Sequence, residues 1–130
     1  MTELSKKIAE MKPDNLVAGI QPSLRIGNGV IRKGTAEAEL KRGTLLAKSS
    51  TDAKLVVLGS TAATGETLEP YAVLADDVKV GTVEDANAAI YIGGKFNLNS
   101  VTVNSGYTLS ESDKDTFRKY NIEFAASFTY

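Results

Sequence analysis

Pro70-Tyr71-Ala72-Val73-Leu74-Ala75-Asp76-Asp77-Val78 and, after an acidic turn, Ala88-Ala89-Ile90-Tyr91-Ile92-Gly93-Gly94-Lys95-Phe96-Asn97 decide the fold of this 130-residue chain. The apolar runs at 71–75 and 88–92 have the length of strands, are too short for good helices and end in turn-forming residues. They predict neighbouring core strands of a small β-rich domain, joined by a turn over residues 76–87. The second strand is expected to end at Gly93-Gly94, where the chain can bend or another backbone can approach.

Outward from that pair, strand and turn signals alternate. Towards the C-terminus, residues 101–103 form a short strand and Asn104-Ser105-Gly106 a turn. Ser110 caps a helix with Glu111, Asp113 and Asp115 in its first turns and Arg118 and Lys119 in its last, so its charges complement the helix dipole. Asn121 fits the left-handed position after the helix. Ile122, Phe124, Ala126, Phe128 and Tyr130 alternate as one face of a final strand. Towards the N-terminus lie strands at 54–58, around Leu45 and at 36–40. Asn28-Gly29 is the strongest hairpin signal in the chain, because a type I′ turn needs positive φ at both central residues. Gly27-x-Gly29 also has the look of a dinucleotide loop, but Arg32 replaces the third glycine and no helix follows.

The first residues read differently. Leu4, Ile8 and Met11 fall at helical spacing, yet three apolar residues cannot hold so short a helix in water. Pro13-Asp14-Asn15 breaks the segment, and the apolar run Leu16, Val17, Ile20 follows. That run is either an edge strand or a continuation of a mobile arm that donates a strand to a partner. The resulting organisation is a flexible N-terminal arm over residues 1–22 and one β-rich domain over residues 23–130.

Composition narrows function. Hydrophobic residues make up 42% of the chain, enough for one core. There is neither cysteine nor histidine, which removes disulfides, thiolate zinc sites, Ser-His triads and the commonest general base. No stretch approaches the ~18 consecutive apolar residues of a membrane span, and residues 1–10 lack the apolar region of a secretory signal. These features predict a soluble protein retained where it is made. Net charge is −1, so the chain is no polycation for nucleic acid. Charge is uneven, however. Residues 1–65 hold ten Lys/Arg against six Asp/Glu, and residues 66–130 hold five against ten. That asymmetry suits an oriented contact between copies.

Candidate chemistry is sparse. Asp76-Asp77, with Glu84-Asp85 nearby, offers oxygens to a hard cation, but lacks the D-x-D-x-D-G spacing, and successive strand residues face opposite ways. No serine has a base partner, and Gly59-Ser60-Thr61 is not a nucleophile elbow. Lys95 reads as a snorkelling strand lysine rather than a catalytic amine. The basic stretch 25–42 has no interleaved aromatics on which bases would stack. Neither an enzyme nor a cofactor is expected.

Several segments together resemble one family. Leu40-Lys41-Arg42-Gly43-Thr44-Leu45-Leu46 is similar to the Leu-Lys-Arg-Gly-Thr-Val-Leu segment of lambda-like bacteriophage head decoration proteins, the capsid cement family. Pro70-Tyr71-Ala72-Val73-Leu74-Ala75-Asp76-Asp77-Val78 resembles that family's Pro-x-Ala/Gly-Ile-Leu-x-x-Asp-Val segment. Ile90-Tyr91-Ile92-Gly93-Gly94-Lys95-Phe96-Asn97 resembles its Val-x-x-x-Gly-x-Phe-Asn strand. Arg118-Lys119-Tyr120-Asn121-Ile122 resembles its Leu-Arg-x-x-Gly-Ile ending, with Asn121 where glycine is usual. The likeness spans about residues 15–125.

The resemblance implies a mainly β fold with one short C-terminal helix (α+β), a small compact β-barrel-like "β-tulip" with an extended N-terminal arm. Leu40, Gly43, Leu45, Pro70, Val73, Leu74, Ile90, Ile92, Gly94, Phe96 and Asn97 become its core signature, and Leu4, Ile8, Leu16, Val17 and Ile20 a capsid-binding arm. It implies a phage or prophage virion protein, made in the host cytoplasm. Such a protein binds the major capsid protein on the outside of the expanded head as a homotrimer and stabilises it against DNA pressure. No direct nucleic-acid or membrane contact is expected. The other reading is a small β-barrel ligand- or glycan-binding module of a phage particle, against which stands the scatter of Tyr71, Tyr91, Tyr107, Tyr120 and Tyr130 without a clustered groove.

Overall fold

The computed structural model describes residues 16–19 and 22–125. In chain order the strands are β1 (Val17–Gly19), β2 (Arg25–Ile31), β3 (Ala38–Leu40), β4 (Leu45–Ser49), β5 (Leu55–Val57), β6 (Leu68–Leu74), β7 (Val78–Val80) and β8 (Ala86–Asn97). A 3-10 turn at Leu98–Ser100, the helix α1 (Glu111–Lys119) and β9 (Ile122–Ala125) follow. Strand makes up 45% of the structure, so the fold is mainly β with one helix near the C-terminus.

Strand β8 organises the rest. Its first half pairs antiparallel with β2 and touches β6 at Leu74↔Ile90 and Val73↔Tyr91. With β4 and β5 these strands close a five-stranded barrel in the order β8-β2-β5-β4-β6, so the two ends of the sheet meet. Closure removes the open edges through which strands otherwise aggregate. Beyond the barrel, the end of β8 pairs antiparallel with β1 on one side and parallel with β9 on the other. The Gly93-Gly94 pair therefore does not end the strand. Gly94 has φ +146°, and a Cβ there would lie 2.9 Å from Leu24 and 3.0 Å from the Phe96 ring. Glycine lets β8 pass a crowded point and change partners without stopping.

Side-chain alternation then sorts the core into two bodies. Leu46, Ala72, Leu74, Ala88 and Ile90 meet Ile31 and Leu55 in one, which the β3–β7 ribbon covers through Val80. Leu45, Ala47, Val73, Tyr91 and Phe96 face the other way and pack with Leu16, Leu58, Phe117 and Ile122. Residues 45–47 of β4, 72–74 of β6 and 90–91 of β8 are thus buried on both faces, which is why these stretches read as near-continuous apolar runs.

The helix follows its sequence signals. The Ser110 hydroxyl accepts from the Asp113 N–H and the Asp113 carboxylate accepts from the Ser110 N–H, a reciprocal capping box. Asn121 sits at φ +62°, the left-handed position expected of it. Phe117, buried, is the contact that fixes the helix to the body.

Three local expectations are corrected. Asn28-Gly29 makes no hairpin and lies in the middle of β2. A Cβ at Gly29 would sit 2.6 Å from Leu55 Cδ1 and 3.1 Å from Ile90 Cδ1, so this glycine makes room for the barrel interior. Residues 76–87 are more than a turn, since β7 lies within them and pairs with β3. Residues 101–103 contribute only an isolated bridge, Thr102 to Thr44.

Candidate functional site

The signature residues meet at the turn before β4. Gly43, at φ +96°, brings its backbone against Ser100, whose carbonyl oxygen would be 2.6 Å from an added Cβ. That closeness allows the Thr102 N–H to donate to the Gly43 carbonyl (3.0 Å) and the Gly43 N–H to the Leu74 carbonyl (2.9 Å). Arg42 completes the junction. Its N–H donates to Asp77 Oδ1 (2.8 Å), and its guanidinium donates to the Ala75 carbonyl (3.1 Å) and to the Tyr91 hydroxyl. The guanidinium also stacks 5.3 Å from the Tyr91 ring centroid. Segments 40–46, 70–78 and 90–97 are thereby bolted together at one place.

This junction is structural rather than catalytic in its chemistry. Asp77 is engaged by backbone N–H, and Asp76 accepts from the N–H of Asp77 (3.0 Å). Among the described residues no group of three or more carboxylates is arranged to hold a metal ion. The Ser60 hydroxyl donates to the Val57 carbonyl (2.6 Å), and the Lys95 stem lies against Gly19.

The other predicted residues divide. Leu45, Val73, Leu74, Ile90 and Phe96 are buried core residues, Pro70 is buried on β6, and Leu40 is half-buried beside the barrel cluster. Asn97 is buried and caps the 3-10 turn through its side chain. Ile92 departs from expectation, being 37% exposed. It is the extra residue where β2–β8 pairing skips from Arg25↔Gly93 to Ile26↔Tyr91, a bulge, and its side chain lies against Gly27.

Leu16 and Val17, assigned to the arm from sequence, sit on the body. Leu16 is 1% exposed within the second core cluster, its carbonyl accepts from the Asn97 N–H (2.8 Å), and Val17 pairs with Phe96. The β-rich body therefore includes Leu16 rather than starting at residue 23. Leu4, Ile8 and Ile20 lie outside the described residues.

One cluster had no local signal. Arg32, just after β2, holds Asp52 with two hydrogen bonds (3.0 and 3.1 Å) and Glu66 with a third. Glu66 also accepts from Ser49, Thr51 and the Ala63 N–H (3.0 Å), with its side chain only 3% exposed. Arg32 and then the Lys54 N–H hold the Asp52 carboxyl down to about 2. Arg32, Ser49 and the Ala63 N–H hold that of Glu66 down to about 2 as well. Lys54 reaches Asp85 (2.6 Å), whose carboxyl accepts from the Lys33 N–H and is likewise held low. The bonds from Arg32 and Lys33 cross 20 to 52 positions of sequence, and such pairings carry no periodicity to read.

The described clefts are open and lack convergent catalytic groups. An apolar one of about 200 Å³ lies between Ile31–Ala38 and Val56–Ser60, and one of about 610 Å³ is lined by Glu37, Glu39 and Lys79. No curated protein matches the chain. The model of one family, bacteriophage lambda head decoration protein D, matches residues 6–122. That family is structural rather than enzymatic, and it makes the protein a component of the phage capsid. With the match covering most of its length and the signature segments joined at Arg42, the chain belongs to the bacteriophage lambda head decoration protein D family.

Proposed function

We propose that the protein binds the outside of the expanded phage head as a homotrimer, contacts the major capsid protein and stabilises the shell against internal DNA pressure. The family match over residues 6–122 carries this reading. A closed barrel braced by buried strands is a stiff body, suited to serving as a clamp. The chain ahead of Leu16 is the arm, with Leu4 and Ile8 as apolar contacts that order on the capsid by strand addition. Leu16 and Val17 are its anchor on the barrel. A ligand that binds only the assembled, expanded shell stabilises that state by mass action. Three arms on one trimer multiply individually weak contacts into avidity. Synthesis in the host cytoplasm precedes addition to the head.

The test mixes purified protein with expanded heads lacking decoration and images them by electron microscopy. Added density on the outer surface, with greater resistance of the heads to heat or chelator, is the expected result. Heads that gain neither density nor resistance would overturn the proposal.

A further inference from the structure

Asn28-Gly29 has the composition of a turn but forms none. From Ile26 to Ile31, β2 pairs residue by residue with β8, with Asn28 opposite Ala89 and Gly29 opposite Ala88. Asn28 is exposed, and its side-chain amide has no hydrogen-bond partner among the described residues. Gly29 is held to glycine by the core, since a Cβ there would stand 2.6 Å from Leu55 Cδ1. Packing therefore keeps a glycine directly after Asn28. A glycine nitrogen, unshielded by a Cβ, is the one best able to attack the side chain of the asparagine before it.

We propose that Asn28 is a site of spontaneous deamidation which folding silences, and that its conversion in an unfolded chain bars the barrel from closing. The Gly29 nitrogen bonds to Asn28 Cγ, the Cγ–Nδ2 bond breaks, and Nδ2 leaves as ammonia with the proton given up by the Gly29 nitrogen. Water then opens the cyclic succinimide at either carbonyl, which leaves aspartate or isoaspartate at position 28. Ring closure needs the Gly29 nitrogen swung about the Asn28 Cα–C bond towards the Cβ side. Extended antiparallel backbone, with ψ of about +135°, holds it away from there. Swinging it across would break the pairing of both residues with β8. In the unfolded chain nothing opposes the rotation. Isoaspartate routes the main chain through Cβ and Cγ, so β2 gains a backbone atom at its centre. Gly29, Val30 and Ile31 then fall out of step with Ala88, Asn87 and Ala86, and Ile31 with Leu55 of β5. Ile31 is 2% exposed in the barrel core, so the barrel loses a wall that it cannot replace. A copy that stays folded keeps Asn28, whereas a copy that lingers unfolded becomes unable to return.

Peptide mapping by mass spectrometry tests this on the full chain, held in mildly alkaline buffer with and without denaturing urea. Conversion at Asn28 is expected to be at least about 100-fold slower in the folded protein, because opening a core strand costs up to the whole stability of the fold. Equal conversion with and without urea overturns the protection, and an Asn28 that stays intact in urea overturns the site. Chains bearing isoaspartate, separated by ion exchange and returned to native buffer, should lack the cooperative melt of the unmodified protein. Recovery of that melt overturns the consequence for the barrel. Asn28→Asp carries the charge of the product without the added backbone atom and, at an exposed position, should fold with a cooperative melt. An unfolded Asn28→Asp would make charge rather than register the cause, and would overturn the inference on that ground.

Discussion

The Arg42 guanidinium donates to the Tyr91 hydroxyl across 49 positions of sequence, while the Arg42 backbone N–H donates to Asp77. One residue thus links the turn before β4, the turn after β6 and the middle of β8. Arg42→Met keeps the stem but removes the donors to Tyr91 and Ala75. A loss of about 1.5–3 kcal/mol is expected, the range for hydrogen bonds to a charged group. Tyr91→Phe should cost less, and in the Arg42→Met background it should cost nearly nothing. Urea midpoints for the four proteins of this cycle give the coupling directly.

Leu16 draws a boundary within the N-terminal segment. Deleting residues 1–15 should leave a cooperative melt and abolish binding to heads. Leu16→Ala in the full chain should instead destabilise the body by about 2–5 kcal/mol, as large-to-small changes at buried sites do. Thermal melts beside a head-binding assay separate the two effects. A truncated protein that is unfolded would place part of residues 1–15 in the body.

Gly29 is expected to resist substitution although its φ is ordinary for a strand. Gly29→Ala drives a Cβ against Leu55 Cδ1 and Ile90 Cδ1, and overpacking of this kind costs about 1–3 kcal/mol. Leu55→Ala opens the same space. The double variant should therefore be less destabilised than the sum of the two single ones in chemical denaturation.

Acid should open the Arg32 cluster. Asp52 and Glu66 both have folded pKa values of about 2, below their ordinary carboxylate values. Their contribution is complete above those ordinary values and is lost as pH falls from about 4.5 towards 2. Melting temperature should decline across that window, and Arg32→Met should flatten the decline. At the other extreme, the Tyr107 hydroxyl donates to Asp113, and its pKa is pushed up to about 12. Its contribution is present below about 10 and fades as pH rises towards 12. Tyr107→Phe should remove that alkaline component of the melting curve.

The legible parts of this fold are those in which local pattern and tertiary role agree. Residues 72–74 and 90–91 are apolar because they are buried on both faces, and α1 begins after Ser110 because the capping box is local. The errors arise where packing overrides a local preference. Asn28-Gly29 has the composition of a turn, yet the barrel needs the missing Cβ, not the turn. Gly93-Gly94 has the composition of a strand end, yet it is a crossing point. Ile92 continues the apolar alternation, yet it sits at the bulge in β2–β8 pairing and stays 37% exposed against Gly27. Of the candidate site, the Arg42 motif is legible through its segment, but its bond to Tyr91 is not.

The sharing of β8 between the barrel and the outer pairing has a mechanical consequence. The strand that closes the barrel against β2 and β6 is the same strand that holds β1 through Phe96 and Lys95. A pull on the chain ahead of Leu16 enters the molecule along this antiparallel pair, at a residue buried in the same core cluster as Phe96 and Phe117. Tension would thus run down the spine of the barrel instead of peeling a loop from its surface. Peeling β1 from the body by such a pull would first require extracting Leu16 from the core.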